Sequence, residues 1–183
     1  MRLTSAFALL LLAGTYVLAA PALAETRIVQ TPAVPADSKP NDPSVPDAYA
    51  INGQFERVVV IRVKSKADLL RGIEDMVKKE GIRNGVILSG IGSLRGYHVH
   101  QVNNRDFPTS NIFTRMPDTP ADLVGMNGYV VNGVVHAHMT LGTGEKAIAG
   151  HLEPGTEVFT YAIVAIGVMN GTDLGKVDDK SYR

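Results

Sequence analysis

Hydrophobic and polar residues alternate along this chain with two different periods, and those periods predict its elements. Residues 57–63 read Arg-Val-Val-Val-Ile-Arg-Val, a β-branched run that predicts a strand. Leu69, Leu70, Ile73, Met76 and Val77 then recur at helical spacing. The spacing predicts a helix that begins near Ser65, carries Asp68 at a capping-box position and stops at Gly81. Strands are expected at 85–89 and 94–102, with Gly90-Ile91-Gly92-Ser93 as a tight turn between them. Residues 123–131 and 134–141 read as a hairpin across Asn132-Gly133, the strongest two-residue turn signal in the chain. A further strand is expected at 146–152, and a nearly all-apolar one at 157–169 suits a buried sheet centre. One helix with about six or seven strands joined by hairpins predicts an α+β domain, a largely antiparallel mixed sheet with the helix packed on one face.

The flanks break this pattern. Residues 1–24 combine Met1-Arg2, an apolar stretch from Phe7 to Ala20 and the small-x-small triplet Ala22-Leu23-Ala24. That is the form of a cleaved secretory signal, cut after Ala24 and followed by a periplasmic or secreted protein without a stable membrane span. Residues 25–52 hold Pro32, Pro35, Pro40, Pro43 and Pro46 and are expected to be an extended linker or tail. The folded domain is expected over 53–172, and 173–183 as a polar tail. Residues 103–122, with Pro108, Pro117 and Pro120, read as a long irregular loop.

Charge and cysteine content narrow the function classes. The chain has 18 basic and 18 acidic residues and no cysteine. Loss of Arg2 with the leader leaves 17 basic against 18 acidic residues, and Lys78-Lys79 is the only adjacent basic pair. That balance argues against a nucleic-acid partner. Neither a disulfide framework nor a cysteine nucleophile is available.

The chemistry concentrates in three of the five histidines, His136, His138 and His151, which fall within sixteen residues. His136 and His138 are two apart on a predicted strand and share a face. If Leu141 pairs with Lys146 across a turn at 142–145, His136 faces His151 and His138 faces Ala149. Three imidazoles then converge on one face of one hairpin, a familiar donor set for Zn²⁺ or a similar divalent metal with an open fourth position. A slip of one residue would turn His151 away. Glu153, two residues after His151, is the one sequence-adjacent candidate for a catalytic base, although a turn residue is normally solvated. His98 and His100 form a second pair at the same spacing, with no third ligand in sequence reach, and read as structural. Gly90, Gly92, Ser93 and Arg95 lack the third glycine of a dinucleotide loop and are at most a small anion or ligand cradle.

These residues together resemble a known family. Gly81-Ile82-Arg83, the run from Val86 to Leu94 containing Ser-Gly-Ile-Gly-Ser, His136-Ala137-His138-Met139-Thr140-Leu141, and Ala149-Gly150-His151-Leu152-Glu153-Pro154-Gly155 are similar to the plants and prokaryotes conserved (PPC) domain. The resemblance covers about residues 55–170 and the family also carries a DNA-binding label. It implies an α+β subunit that assembles as a homotrimer, with zinc on three histidines that correspond to His136, His138 and His151. The basic AT-hooks of plant members are not found here, and Pro120-Ala121-Asp122-Leu123-Val124 lacks the Arg and Phe of their partner-binding stretch. Three functions follow as expectations. One is an exported zinc-binding module for an unknown small ligand, another a metal-dependent hydrolase or lyase, and the third a DNA-binding or scaffolding protein.

Overall fold

The computed structural model describes residues 23–32 and 43–178. Residues 1–22 of the leader expected at 1–24, residues 33–42 with Pro35 and Pro40, and residues 179–183 lie outside them. The elements run β1 (Glu25–Gln30), β2 (Phe55–Lys64), α1 (Leu69–Lys79), β3 (Gly85–Val102), β4 (Ser110–Met116), β5 (Ala121–Val131), β6 (Val134–Gly142), β7 (Ala147–Leu152) and β8 (Glu157–Met169), then a short 3₁₀ turn at Leu174–Val177. All eight strands join one antiparallel sheet. The helix contacts β2, β6 and β8. The α+β class, the single main helix and the Asn132-Gly133 hairpin are therefore as the sequence predicts, with φ of 52° and 84° at the two turn residues.

β3 organises the sheet. Its first half lies between β5 and β8, while its second half pairs with β4 and touches β7. Because β5, β6 and β7 are successive neighbours, the path from β3 through them returns to β3 and closes. The 18-residue strand achieves this by bending at register shifts between Ile87 and Ser89 and again between Gly92 and Gly96. The expected turn at Gly90–Ser93 is therefore strand interior. Its glycines answer close packing, since a Cβ at Gly90 would come 2.6 Å from Met126 Cβ and one at Gly92 would come 2.7 Å from Ala162 Cα.

The core lies between α1 and the sheet and continues inside the closed strand path. Leu69, Ile73, Val130, Leu141, Val164 and Ile166 have no exposed surface. Each such side chain contributes about 1.5–3 kcal/mol by leaving water. The helix starts at Leu69, later than Ser65, because Asp68 is its N-cap and accepts from Arg71 N at 3.0 Å through Oδ1. Its other oxygen accepts from Gly155 N at 2.6 Å, which ties the turn after β7 to the helix. Asp68→Ala is expected to lower stability by about 1–2 kcal/mol, measured by urea denaturation, with Asp68→Asn losing less.

Three expectations about irregular segments are corrected. Residues 25–30 of the proline-rich linker form β1, paired with β4 from Glu25↔Arg115 to Gln30↔Ser110. The expected loop at 103–122 contains β4, whose partners β1 and β3 are distant in sequence. In the expected polar tail at 173–183 Leu174 is buried, and Tyr49 Oη donates to Lys176 O at 2.7 Å. Each segment gains structure from a partner that local composition does not reveal. Among the described residues no helix is long and apolar enough to cross a membrane.

Candidate metal centre

The alternation in β6 is clean: Val135, Ala137, Met139 and Leu141 are buried, while His136 and His138 are exposed. In β7, Gly150 and Leu152 point inward and His151 stays partly covered on the histidine face. The register differs from the expected one by two residues. His138 pairs with His151, and Thr140 with Ala149. The connecting turn keeps its four-residue length but sits one residue further along, at 143–146, where Thr143 N donates to Lys146 O at 2.9 Å and Lys146 N donates to Thr143 Oγ1 at 3.1 Å. Lys146 is thus a turn residue and the strand starts at Ala147. A two-residue shift preserves the side-chain face, so the three imidazoles still converge.

Their donor atoms all lie within 4.8 Å of one another, with His136 Nε2 and His138 Nε2 3.3 Å apart. The His151 ring meets the His136 ring edge-on at 4.7 Å and the His138 ring at 5.3 Å. Three imidazole nitrogens in this small a space, with no carboxylate among them, fit a borderline-soft divalent cation such as zinc.

Sequence distance concealed the rest of the site. β3 brings His100 directly opposite His151, with ring centroids 4.7 Å apart. Glu153 Oε1 accepts from His100 Nδ1 at 2.6 Å, and both side chains are about one-fifth exposed. The expectation of a solvated Glu153 is therefore corrected. Its turn is pinned to β3 by Glu153 N donating to His98 O at 3.1 Å and by Thr156, fully buried, accepting from His98 N at 3.0 Å through Oγ1. His98 donates from Nδ1 to Pro154 O at 2.8 Å, which supports the structural reading of that residue. His100 is different, because it belongs to a second group of possible ligands with His151 and Glu153. Only the repeated two-residue spacing of His98 and His100 hinted at this, and the hint could not name a partner strand.

The glycine cradle is placed elsewhere. Gly90, Gly92, Ser93 and Arg95 sit within the β3 ladders, Ser93 Oγ is 2.6 Å from Thr160 Oγ1, and Arg95 Nε is 2.8 Å from Glu157 Oε1. An anion cradle needs free amides and a free cation, and these residues are engaged with the protein itself.

Burial pushes the His151 pKa down to about 4, helped by the charges of His100 and His136 and opposed by Glu153. Burial also lowers that of His138, with His136 and His100 adding to it. Both imidazoles therefore stay neutral, with lone pairs available to a metal, where an ordinary histidine is already protonated. The unfolded chain takes up these protons near pH 6.5 and the folded chain resists them. Metal-free protein is therefore expected to keep its full stability above about pH 6.5 and to lose it progressively toward about pH 4, as denaturation midpoints across that window would measure. An unchanged midpoint across it would contradict the assigned environment of His151.

The sequence profile of the Plants and Prokaryotes Conserved (PCC) domain matches residues 50–170. Among curated proteins, none matches the chain. Several solved structures share the fold. A metal-containing protein of Archaeoglobus fulgidus is 22% identical with a TM-score of 0.60, over 68% of this chain and 87% of that one. A plant- and prokaryote-conserved protein of Pyrococcus horikoshii is 26% identical with a TM-score of 0.56, over 69% and 87% of the two chains. A protein of Bacteroides thetaiotaomicron named as a candidate DNA-binding protein is 18% identical with a TM-score of 0.53, over 66% and 83%. With the profile spanning the folded part from before β2 to the end of β8, the chain belongs to the Plants and Prokaryotes Conserved domain family.

Proposed function

We propose that this protein is an exported metal-binding module. It would hold one divalent cation, zinc being the best match, on His136, His138 and His151. The observation that carries the reading is the convergence of three imidazole donors within 4.8 Å on one sheet face. A bound cation would supply an open coordination position for a small ligand. Around it the chain's own residues orient the donors: β6 fixes His136 and His138, and Gly150 lets β7 approach β3 so that His151 is partly shielded. A metal-containing relative of the same fold accords with this reading. Glu153 is engaged by His100, so a binding or sensing role is favoured over hydrolysis or elimination. A DNA-bound role finds no basic excess in the sequence to support it.

The test is metal content by mass spectrometry beside a His136→Ala, His138→Ala double variant. About one zinc per chain that depends on this pair is expected. Absence of metal after reconstitution would overturn the reading.

Self-association, as a homotrimer, is part of the proposal. On the sheet face away from α1, Val58 and Val60 of β2, Ile91 of β3 and Phe159 and Tyr161 of β8 are each about half exposed or more. Exposed apolar side chains on one sheet face, with Arg62 over the Tyr161 ring among them, suit burial against another copy. Light scattering at micromolar concentration is expected to give three times the chain mass, and a monomer would refute assembly. Export is tested by the N-terminal residue of protein recovered outside the cytoplasm, which should be Glu25.

A further inference from the structure

The strand register lines up His138 of β6, His151 of β7 and His100 of β3 in a single row. Past His100 the row continues to Phe113 of β4, whose ring packs on the His100 imidazole at 4.9 Å. Glu153 approaches from the turn after β7, its Oε1 2.6 Å from His100 Nδ1. One donor atom from each of His100, His151 and Glu153 lies within 4.8 Å of the others, and all three residues are partly buried. The set is held in place from outside. Thr156 fixes the turn to β3, Asp68 fixes it to the helix, and Gly150 permits the close contact of β7 with β3.

We propose that His100, His151 and Glu153 take a second divalent cation beside the first, so that the histidine face is a two-cation site with His151 common to both. The first cation in this arrangement rests on the three-histidine reading above. Two imidazole nitrogens with one carboxylate oxygen is a donor set that zinc, iron(II) and other first-row divalent ions accept. An imidazole has two ring nitrogens. His151 can meet one ion with each, and its N–H proton passes to solvent when the second ion arrives. The hydrogen bond between His100 and Glu153 marks the second position. A cation between those atoms displaces the proton from His100 Nδ1, and His100 stays a neutral ring by carrying its one proton on Nε2, so that the net release is the proton of His151. The negative charge of Glu153 and of the deprotonated ring offsets repulsion between the two ions.

The experiment counts ions. Protein saturated with Zn²⁺ and separated from free metal is analysed by mass spectrometry, alongside circular dichroism of each variant. Two zinc ions per chain are expected in the unaltered protein. One is expected in His100→Ala, in Glu153→Gln and in the His136→Ala, His138→Ala double variant. Loading with Cu²⁺ adds a second readout, because two copper ions sharing one ring give a spin-coupled signal that His100→Ala should convert to that of an isolated ion. A single zinc in the unaltered protein, lost in the double variant and retained in Glu153→Gln, would overturn the second position and leave the three-histidine site intact. No bound zinc at all would overturn the three-histidine site and this proposal with it.

Discussion

Replacing His151 with alanine is expected to weaken cation binding more than any other single change in the protein. His151 belongs to both groups of ligands on the histidine face, whereas His136 and His138 serve one and His100 and Glu153 the other. Loss of an outer-shell partner of a metal typically costs 10–100-fold in affinity. Loss of a direct donor from a three-donor set should exceed about 100-fold. Competition against a chromophoric chelator measures this directly. The cost to the metal-free fold should be small, about 0.5 kcal/mol, because the ring lies at the surface of the sheet and fills no core position. At acid pH the variant should do comparatively better. It lacks the imidazole that resists protonation down to about pH 4, so its stability should fall less between pH 6.5 and 4. Tight zinc binding by His151→Ala would show that the three donors do not act together.

Gly150→Ala is expected to have the largest effect on the scaffold of the site. A Cβ there would lie 2.7 Å from His100 O and 3.1 Å from Val99 Cβ. Both atoms belong to β3 and neither can rotate away, so the strands must separate. The seam they form is short, with Val99↔Leu152 and His100↔His151 as its register pairs. Overpacking of this kind costs about 1–3 kcal/mol. It also moves His151 off His100 and so reaches the donors. A lower denaturation midpoint and weaker zinc binding should appear together. Gly144→Ala is the control, since a Cβ at Gly144 meets nothing within 4 Å and should change stability by under about 0.5 kcal/mol. Unchanged stability and binding in Gly150→Ala would mean that the β3–β7 seam does not position His151.

Much of the fold was legible wherever a local pattern had one physical cause. The α1 stripe, the apolar β8 and the Asn132-Gly133 turn follow from helical spacing, burial and positive φ respectively. β1 and β4 were not legible, because each is a strand by virtue of its partners. Gly90–Ser93 misled for a related reason. Glycines that normally signal a turn are needed here beneath Met126 and against Ala162, and that crowding exists only after β3, β5 and β8 have come together.

The same division runs through the site. The amino-acid sequence by itself determined that His136, His138 and His151 share a face, because side-chain parity along a strand survives a shift of two residues in hairpin register. Only the tertiary structure decided which imidazole lies opposite which, because the hydrogen bonds of Thr143 set the turn one residue further along the chain, at 143–146. It also decided that His100 and Glu153 join the three. The contact between β3 and β7 spans 51 residues from His100 to His151, and such a pairing depends on closure of the whole sheet, which no local spacing encodes.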